Sequence, residues 1–311
     1  MKFDHHSHHV FPAMIPTQNI FNPILRLEDN LRDPSVFKRP DGYDLFYTRY
    51  KGGDWNSAEN WSVDRCFTRD FIHFTDHCCL AGPNFASPGD VVFWHGRWIL
   101  PLQSYPARPQ QLFYSESTDG NAWSNPHPFL QAVLELGWNT DHRAIDPSFV
   151  VDGDELHCFF VGSDGLGTPQ RANLLGHAVT QDPSLRDWTV LSMDAPLMGR
   201  DRAPDGVENV VIYRAANRWI MMLSEGILDQ HLAMAESTDL RTWQPLGRVE
   251  LPSQPWCSFR YGAPFVWQED DRYYMVLMGE ENEQHRSSLG FLTSPDGLDW
   301  VLCPTTLLPT C

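Results

Sequence analysis

One short phrase recurs along this chain, and its repetition limits what the chain can fold into. It reads FTRDFIHF around Asp70, ESTDGNAW around Asp119, TQDPSLRDW around Asp182, ESTDLRTW around Asp239 and TSPDGLDW around Asp296. Successive copies stand about fifty to sixty residues apart, a period that belongs to propellers and other arrays of one repeated unit. Each copy follows a short strand-like run: DRCFT, LFYSE, LLGHAVT, LAMAES or LGFLTS. Within a copy, Ser or Thr and Asp bond local backbone N–H groups, and the closing Trp or Phe starts the next strand on an apolar face. The phrase reads as a chain-reversing turn, and its Asp and aromatic residues as scaffold.

A second pattern stands upstream of each turn: an apolar strand, a polar turn, then an aromatic strand. The copies are DPSVFKRPDGYDLFYTR, GDVVFWHGRWILPLQS, DPSFVVDGDELHCFFVGS, ENVVIYRAANRWIMMLSEG and APFVWQEDDRYYMVLMGE. These are hairpins, with turns at PDG, HG, DGD, AAN and EDD. One hairpin followed by another makes a four-stranded antiparallel sheet. Five such sheets around a central channel make an all-β, five-bladed β-propeller. The whole chain, 1–311, is taken as a single propeller domain, with residues 1–25 as an N-terminal arm.

Composition agrees with an all-β chain and limits the partners. The chain has 21 Gly, 24 Pro and 13% aromatic residues, and helix-forming runs are scarce. It carries 40 acidic and 23 basic residues, a net charge of −17, which argues against a nucleic-acid partner. No segment approaches the ~18 consecutive apolar residues of a membrane span. The N-terminus, MKFDHHSHHVFPAMIP, lacks the apolar core of a signal peptide. There are seven cysteines, an odd number with no C-x-x-C pair, and they read as mostly buried thiols of a reducing compartment. The expectation is a cytoplasmic protein, or a secreted one if a leader has been removed. No Gly-rich phosphate loop or nucleotide fingerprint is present, and no cofactor is expected to be required.

In a propeller the innermost strands line the central channel, so the residues at their starts converge on one pocket. The five starts read RDPSVF with Asp33, SPGDVVF with Asp90, AIDPSFV with Asp146, DGVENVVIY with Glu208 and SFRYGAPFVW with Arg260. Four blades thus offer a carboxylate and the fifth a cation at nearly equivalent positions. Carboxylates just before buried strands are costly unless used or paired.

The runs RDPSVF, AIDPSFVVDGDELHCFFVGS and VENVVIYRAANRWIMMLSEG resemble glycoside hydrolase family 43, five-bladed propellers of the furanosidase superfamily with relatives in families 32, 62, 68 and 117. The resemblance covers nearly the whole chain at the level of blades. It implies Asp33 as general base, Asp146 as the residue that orients the acid and raises its pKa, and Glu208 as general acid. Where the family often reads E-G-P, this chain reads E-N-V; Glu225 is the fallback acid. The turn phrase also resembles, loosely, the Asp-box of sialidases, but those use six blades. Inverting hydrolysis needs one carboxylate to deprotonate water and one protonated acid for the leaving oxygen, about 6.5–9.5 Å apart. A neighbouring carboxylate keeps the acid protonated.

Further candidates surround these three. Asp90 is expected to bind a hydroxyl at the pocket floor, and Arg260 to bond sugar hydroxyls or hold a carboxylate ionised. Trp55 and Trp61, in KGGDWNSAENW, offer faces on which a sugar stacks. The loop WNTDHRAID brings Trp138, Asp141, His142 and Arg143 near Asp146, and DRAPDGVE brings Arg202 and Asp205 near Glu208. Some family members have a histidine near a metal or water in the channel, which makes His285 the candidate for a Ca²⁺-associated position, although Ca²⁺ prefers oxygen ligands. The HHSHH run, His5–His9, reads as a flexible segment. The expected activity is that of an inverting, exo-acting glycosidase on a small pentose-containing oligosaccharide, an α-L-arabinofuranosidase or β-xylosidase, with a homodimer closing the active-site mouth. The alternatives are a family 117-like enzyme with a histidine acid, a family 32-like fructosidase (whose W-M-N-D-P-N-G motif is missing), a phosphorylase using Arg260, Arg202 and His285, and a non-catalytic sugar-binding propeller.

Overall fold

The computed structural model describes residues 15–165, 172–227 and 229–305, so the HHSHH run lies outside the described residues. It has five antiparallel sheets in chain order around a central channel. Blade 1 is built from Asn30–Arg39, Gly42–Tyr50, Trp61–Thr68 and Phe74–Ala81. Blade 3 uses Ile145–Asp152, Glu155–Ser163, Asn173–Thr180 and Thr189–Val190. Blade 4 uses Val207–Ala215, Arg218–Glu225, His231–Ser237 and Gln244–Val249. Blade 5 uses Arg260–Glu269, Arg272–Glu280, Ser287–Ser294 and Val301–Leu302.

Blade 2 departs from this plan. Its inner strand is split into Phe85–Ala86 and Val92–Trp94, both paired with Arg97–Ser104; Leu112–Ser117 and His127–Pro128 follow outward. Gly89, within the split, runs so close to blade 3 that a Cβ there would lie 1.9 Å from the Pro147 carbonyl oxygen. Only glycine fits that approach.

Local chemistry accounts for the hairpins. All five inner hairpins close through two-residue turns, and in two of them, His95-Gly96 and Ala216-Asn217, both residues have the positive φ of a type I′ turn. The recurring phrase is the turn between the third and outermost strands. In each copy Asp accepts backbone N–H groups two and three residues on, or slightly further. Asp239 takes them from Arg241 at 2.9 Å and Thr242 at 2.7 Å, and Asp296 from Leu298 and Asp299 at 2.9 Å. These bonds hold the turn carboxylates below the usual range at Asp119, Asp239 and Asp296. The phrase is scaffold, as its composition suggests.

The ring closes between blades 5 and 1. The segment before blade 1 runs along the third strand of blade 5, where Ile24 N–H donates to Leu289 O at 2.8 Å and the buried Asn22 amide donates to Phe291 O and Cys303 O at 3.0 Å. The outer edge of the last blade is thus shared between the two ends of the described chain, and one apolar cluster spans blades 1, 4 and 5. Among the described residues, six cysteines are free thiols; Cys66, Cys158, Cys257 and Cys303 are buried, and Cys78 and Cys79 are exposed. No helix among the described residues is long and apolar enough to cross a membrane.

Candidate active site

The same backbone irregularity marks the inner strand of every blade. Asp33, Ser87, Asp146, Asn209 and Ala263 have φ of 46°, 48°, 49°, 48° and 49°. In blades 1, 3, 4 and 5 the strand register shifts at this residue, and in blade 2 it opens the split. Left-handed φ is uncommon outside glycine, and Asp and Asn tolerate it best. Proline follows in four of the five cases (Pro34, Pro88, Pro147, Pro264), where a bulge needs no ladder N–H. Three bulges are pinned by the preceding blade: Ser87 N–H donates to Thr48 Oγ1 at 2.7 Å, Ala263 N–H to Ser224 Oγ at 2.7 Å, and Asp146 N–H to Gln103 Oε1.

A bulge interrupts the alternation of a strand. Two consecutive side chains then face the channel: Arg32 with Asp33, Ala86 with Ser87, Ile145 with Asp146, Glu208 with Asn209. This corrects the register read from the sequence. The equivalents of Asp33 and Asp146 are Ser87, Asn209 and Ala263. Glu208 precedes its bulge, and Arg260 is the equivalent of Arg143.

These side chains line a cavity of about 720 Å³ at the end of the channel where the inner strands begin. Asp33, Asp146 and Glu208 all line it, together with Trp55, Trp61, Arg143, Arg260 and His285. Asp33 accepts from Ser87 Oγ and from Asn209 Nδ2, each at 3.2 Å. Glu208 accepts from Asn173 Nδ2 on one oxygen and from Gln230 Nε2 at 3.4 Å on the other. Burial, reinforced by the charges of Glu208 and Asp33, pushes Asp146 up to about 8. Burial also raises Glu208, against the pull of Arg143 and Arg32. The Asp146–Glu208 pair therefore keeps a proton near neutral pH, a property of the pair as a whole.

The wall of the cavity is aromatic and cationic. Trp55 donates from its indole to Tyr105 Oη at 2.5 Å, packs edge-on against Trp61 with centroids 4.6 Å apart, and lies 5.5 Å from the Arg32 guanidinium. Glu280 is fully buried, with Arg260 Nε donating at 2.6 Å and Arg32 Nη1 donating as well. Burial alone would raise Glu280, but the two guanidiniums outweigh it and hold it at about 2.

Other expected residues lie elsewhere. Asp90 is outside this cavity, because the blade 2 insertion carries it beneath the floor into a space of about 30 Å³, where it accepts from Ser148 Oγ at 2.7 Å. His142 is exposed and points away, its Nδ1 2.9 Å from Leu134 O. Arg202 donates to Trp243 O at 3.3 Å, Trp138 to Ser192 O at 2.7 Å, and Glu225 lies 3.2 Å from His231, all outside the lining. His285 lines the cavity, but its Nδ1 is 3.1 Å from Arg260 Nη2 and 3.3 Å from a Glu280 oxygen already committed to Arg260. A guanidinium at that distance does not fit a cation site. Among the described residues there is no group of three or more His, Cys, Asp and Glu that could hold a metal ion.

Sequence reasoning missed Arg32, Ser87, Asn173, Asn209, Gln230 and Glu280. Three carried a signal: Arg32 and Asn209 adjoin the residues singled out. Glu280 ends the apolar run YYMVLMG, an unusual place for a carboxylate.

No family model matches the chain. Solved structures do share its fold. A glycoside hydrolase aligns with a TM-score of 0.72 at 12% identity, covering 91% of this chain and 90% of that one. The α-L-arabinofuranosidase of Podospora anserina, in complex with cellotriose, gives 0.65 at 15% identity over 86% of this chain and 91% of that one. A family 43 β-xylosidase/α-arabinofuranosidase from a compost microbial metagenome, in complex with xylotriose, gives 0.62 at 11% identity over 88% and 93%. The chain is a five-bladed β-propeller of the architecture found in these glycoside hydrolases.

Proposed function

We propose that the protein is an inverting glycoside hydrolase that releases a terminal pentosyl residue from an oligosaccharide. The observation that carries this reading is the meeting of three carboxylates from three blades, in unlike environments, in one aromatic-walled cavity. Asp33, held by two neutral donors, takes a proton from water as that water attacks the anomeric carbon. The glycosidic C–O bond breaks, and Glu208 gives its proton to the leaving oxygen. Burial raises Glu208, and Asp146 is the buried neighbour with which it shares the proton that passes to the leaving oxygen. Asp33 and Glu208 come from non-adjacent blades, which suits a water held between base and sugar. The arabinofuranosidase and xylosidase activities of structural neighbours favour an α-L-arabinofuranosyl or β-D-xylosyl unit.

Hydrolysis of p-nitrophenyl α-L-arabinofuranoside, β-D-xyloside, β-D-galactoside and α-L-fucoside tests the reading. Release from a pentoside that falls by at least about 100-fold in Asp33→Asn and in Glu208→Gln is expected, the range for loss of acid–base catalysis. Activity that survives both substitutions refutes the assignment.

A further inference from the structure

The bulge of blade 4 presents two consecutive side chains to the cavity, those of Glu208 and Asn209. Asn209 reaches across the channel. Its Nδ2 donates to Asp33 Oδ1 at 3.2 Å, although blade 5 stands between blades 4 and 1 in the ring. The other oxygen, Asp33 Oδ2, takes its bond from Ser87 Oγ of blade 2. Hydrogen bonds donated to a carboxylate favour its charged form and fix the plane of the group. The charges nearest Asp33 are Arg32 on its own strand, Asp146 on blade 3 and Glu208 on blade 4, and they act on it through space. Arg143 and Arg260 act on Glu208, and His285 lies against Glu280. On blade 2, Tyr105 is bonded to Trp55, and Asp90 lies beneath the floor against Ser148. Asn209 has a φ of 48°, which glycine and aspartate also tolerate, so either can replace it without rebuilding the bulge. In the E-G-P wording of the resembling family a glycine often stands here, with no side chain to donate.

We infer that Asn209 is a positioning residue for the base: the bulge that delivers the acid Glu208 also sends the next side chain across the channel to grip Asp33. One local turn of backbone thereby sets acid and base together. The inference rests on the glycosidase reading for its meaning, but its test does not need turnover. Wild type, Asn209→Gly and Asn209→Asp are labelled with ¹³C at the aspartate carboxyls and titrated by NMR. The Asp33 signal is the one that Asp33→Asn removes. In Asn209→Gly its midpoint is expected to rise by about one pH unit, the scale of one hydrogen bond to an ionised acceptor. In Asn209→Asp it should rise further, because the donor is replaced by a like charge at the same place. The order separates donation from packing: aspartate keeps the shape of asparagine, so a space-filling role would spare that variant and penalise glycine. On any glycoside that is hydrolysed, the acid limb of kcat/KM should move up with the NMR midpoint, since activity needs the base ionised. A bulge that merely loosened would lower kcat and leave the limb in place. An Asp33 midpoint that does not rise in Asn209→Gly, or that rises less in Asn209→Asp than in Asn209→Gly, overturns the inference. If glycosides are hydrolysed and the midpoint stays put, this inference alone fails. If the midpoints shift in the expected order and no glycoside is cleaved, the hydrolase reading alone fails.

Discussion

Replacing Asp146 with Asn should change how stability depends on pH. Burial and the neighbouring charges of Glu208 and Asp33 lift Asp146 from an ordinary 3.8 to about 8 in the folded protein. Between those values the unfolded chain is ionised at this site and the folded chain is protonated. The folded state then binds more protons, so stability falls as pH rises through the window and levels off above about pH 8. A shift of that size corresponds to several kcal/mol at about 1.4 kcal/mol per pH unit. The residue is only 8% exposed, so solvent screens little of the shift. Asn keeps the shape and cannot ionise. Urea denaturation of the wild type and Asp146→Asn at pH 5, 6, 7, 8 and 9 measures the difference. The variant should gain on the wild type steadily from pH 5 to 8, then run parallel to it. Curves that stay parallel throughout would show that Asp146 is not held protonated by its surroundings, and the account of the proton-sharing pair would be lost.

Other consequences follow from named groups. Glu280→Gln strands the Arg32 and Arg260 guanidiniums in a buried wall without a counter-charge, and should destabilise the protein by about 3–5 kcal/mol in urea denaturation. Glu280 is depressed from 4.5 to about 2, so its stabilisation is full above pH 4.5 and lost as pH falls through 2; a Glu280→Gln variant should lack that acid limb. His157 and His177 are buried side by side, Nδ1 to Nε2 at 2.9 Å, and burial with the His157 charge lowers His177 from 6.5 to about 3. Stability from keeping His177 neutral is full above pH 6.5 and falls between pH 6.5 and 3, and thermal denaturation of His177→Gln should show a flatter dependence over that range.

The five-blade architecture was legible because each blade states its outer turn in nearly the same words. Those words are hydrogen-bonding instructions: Asp239 and Asp296 cap their turns through the same N–H groups, two and three residues on. Asp33 and Asp146 were legible because the same D-P-S opens two inner strands, where a carboxylate before a buried run is costly unless used or paired. The register in the other blades was not. Blade 4 replaces the pair by Asn209-Val210, so its carboxylate sits one residue earlier, and the bulge, not the alignment of acids, delivers Glu208 to the cavity. In blade 2 the residues after Ser87 loop out, and an aspartate that matches by spacing ends up under the floor against Ser148. Glu280 ends the second strand of blade 5 and Gln230 directly precedes the third strand of blade 4, and both reach the mouth only because the blade folds back. Their place depends on which blades face one another across the ring, and single-chain spacing does not carry that.

The most direct test of the central claim is the configuration of the sugar at release. Proton NMR of the first turnover on a hydrolysed pentoside, with Asp33→Asn and Glu208→Gln as controls, reads it before mutarotation. The account predicts the inverted anomer from the wild type and at least about 100-fold slower release from each variant. A retained anomer, or release undiminished in either variant, would contradict a water-activating Asp33 working with a proton-donating Glu208.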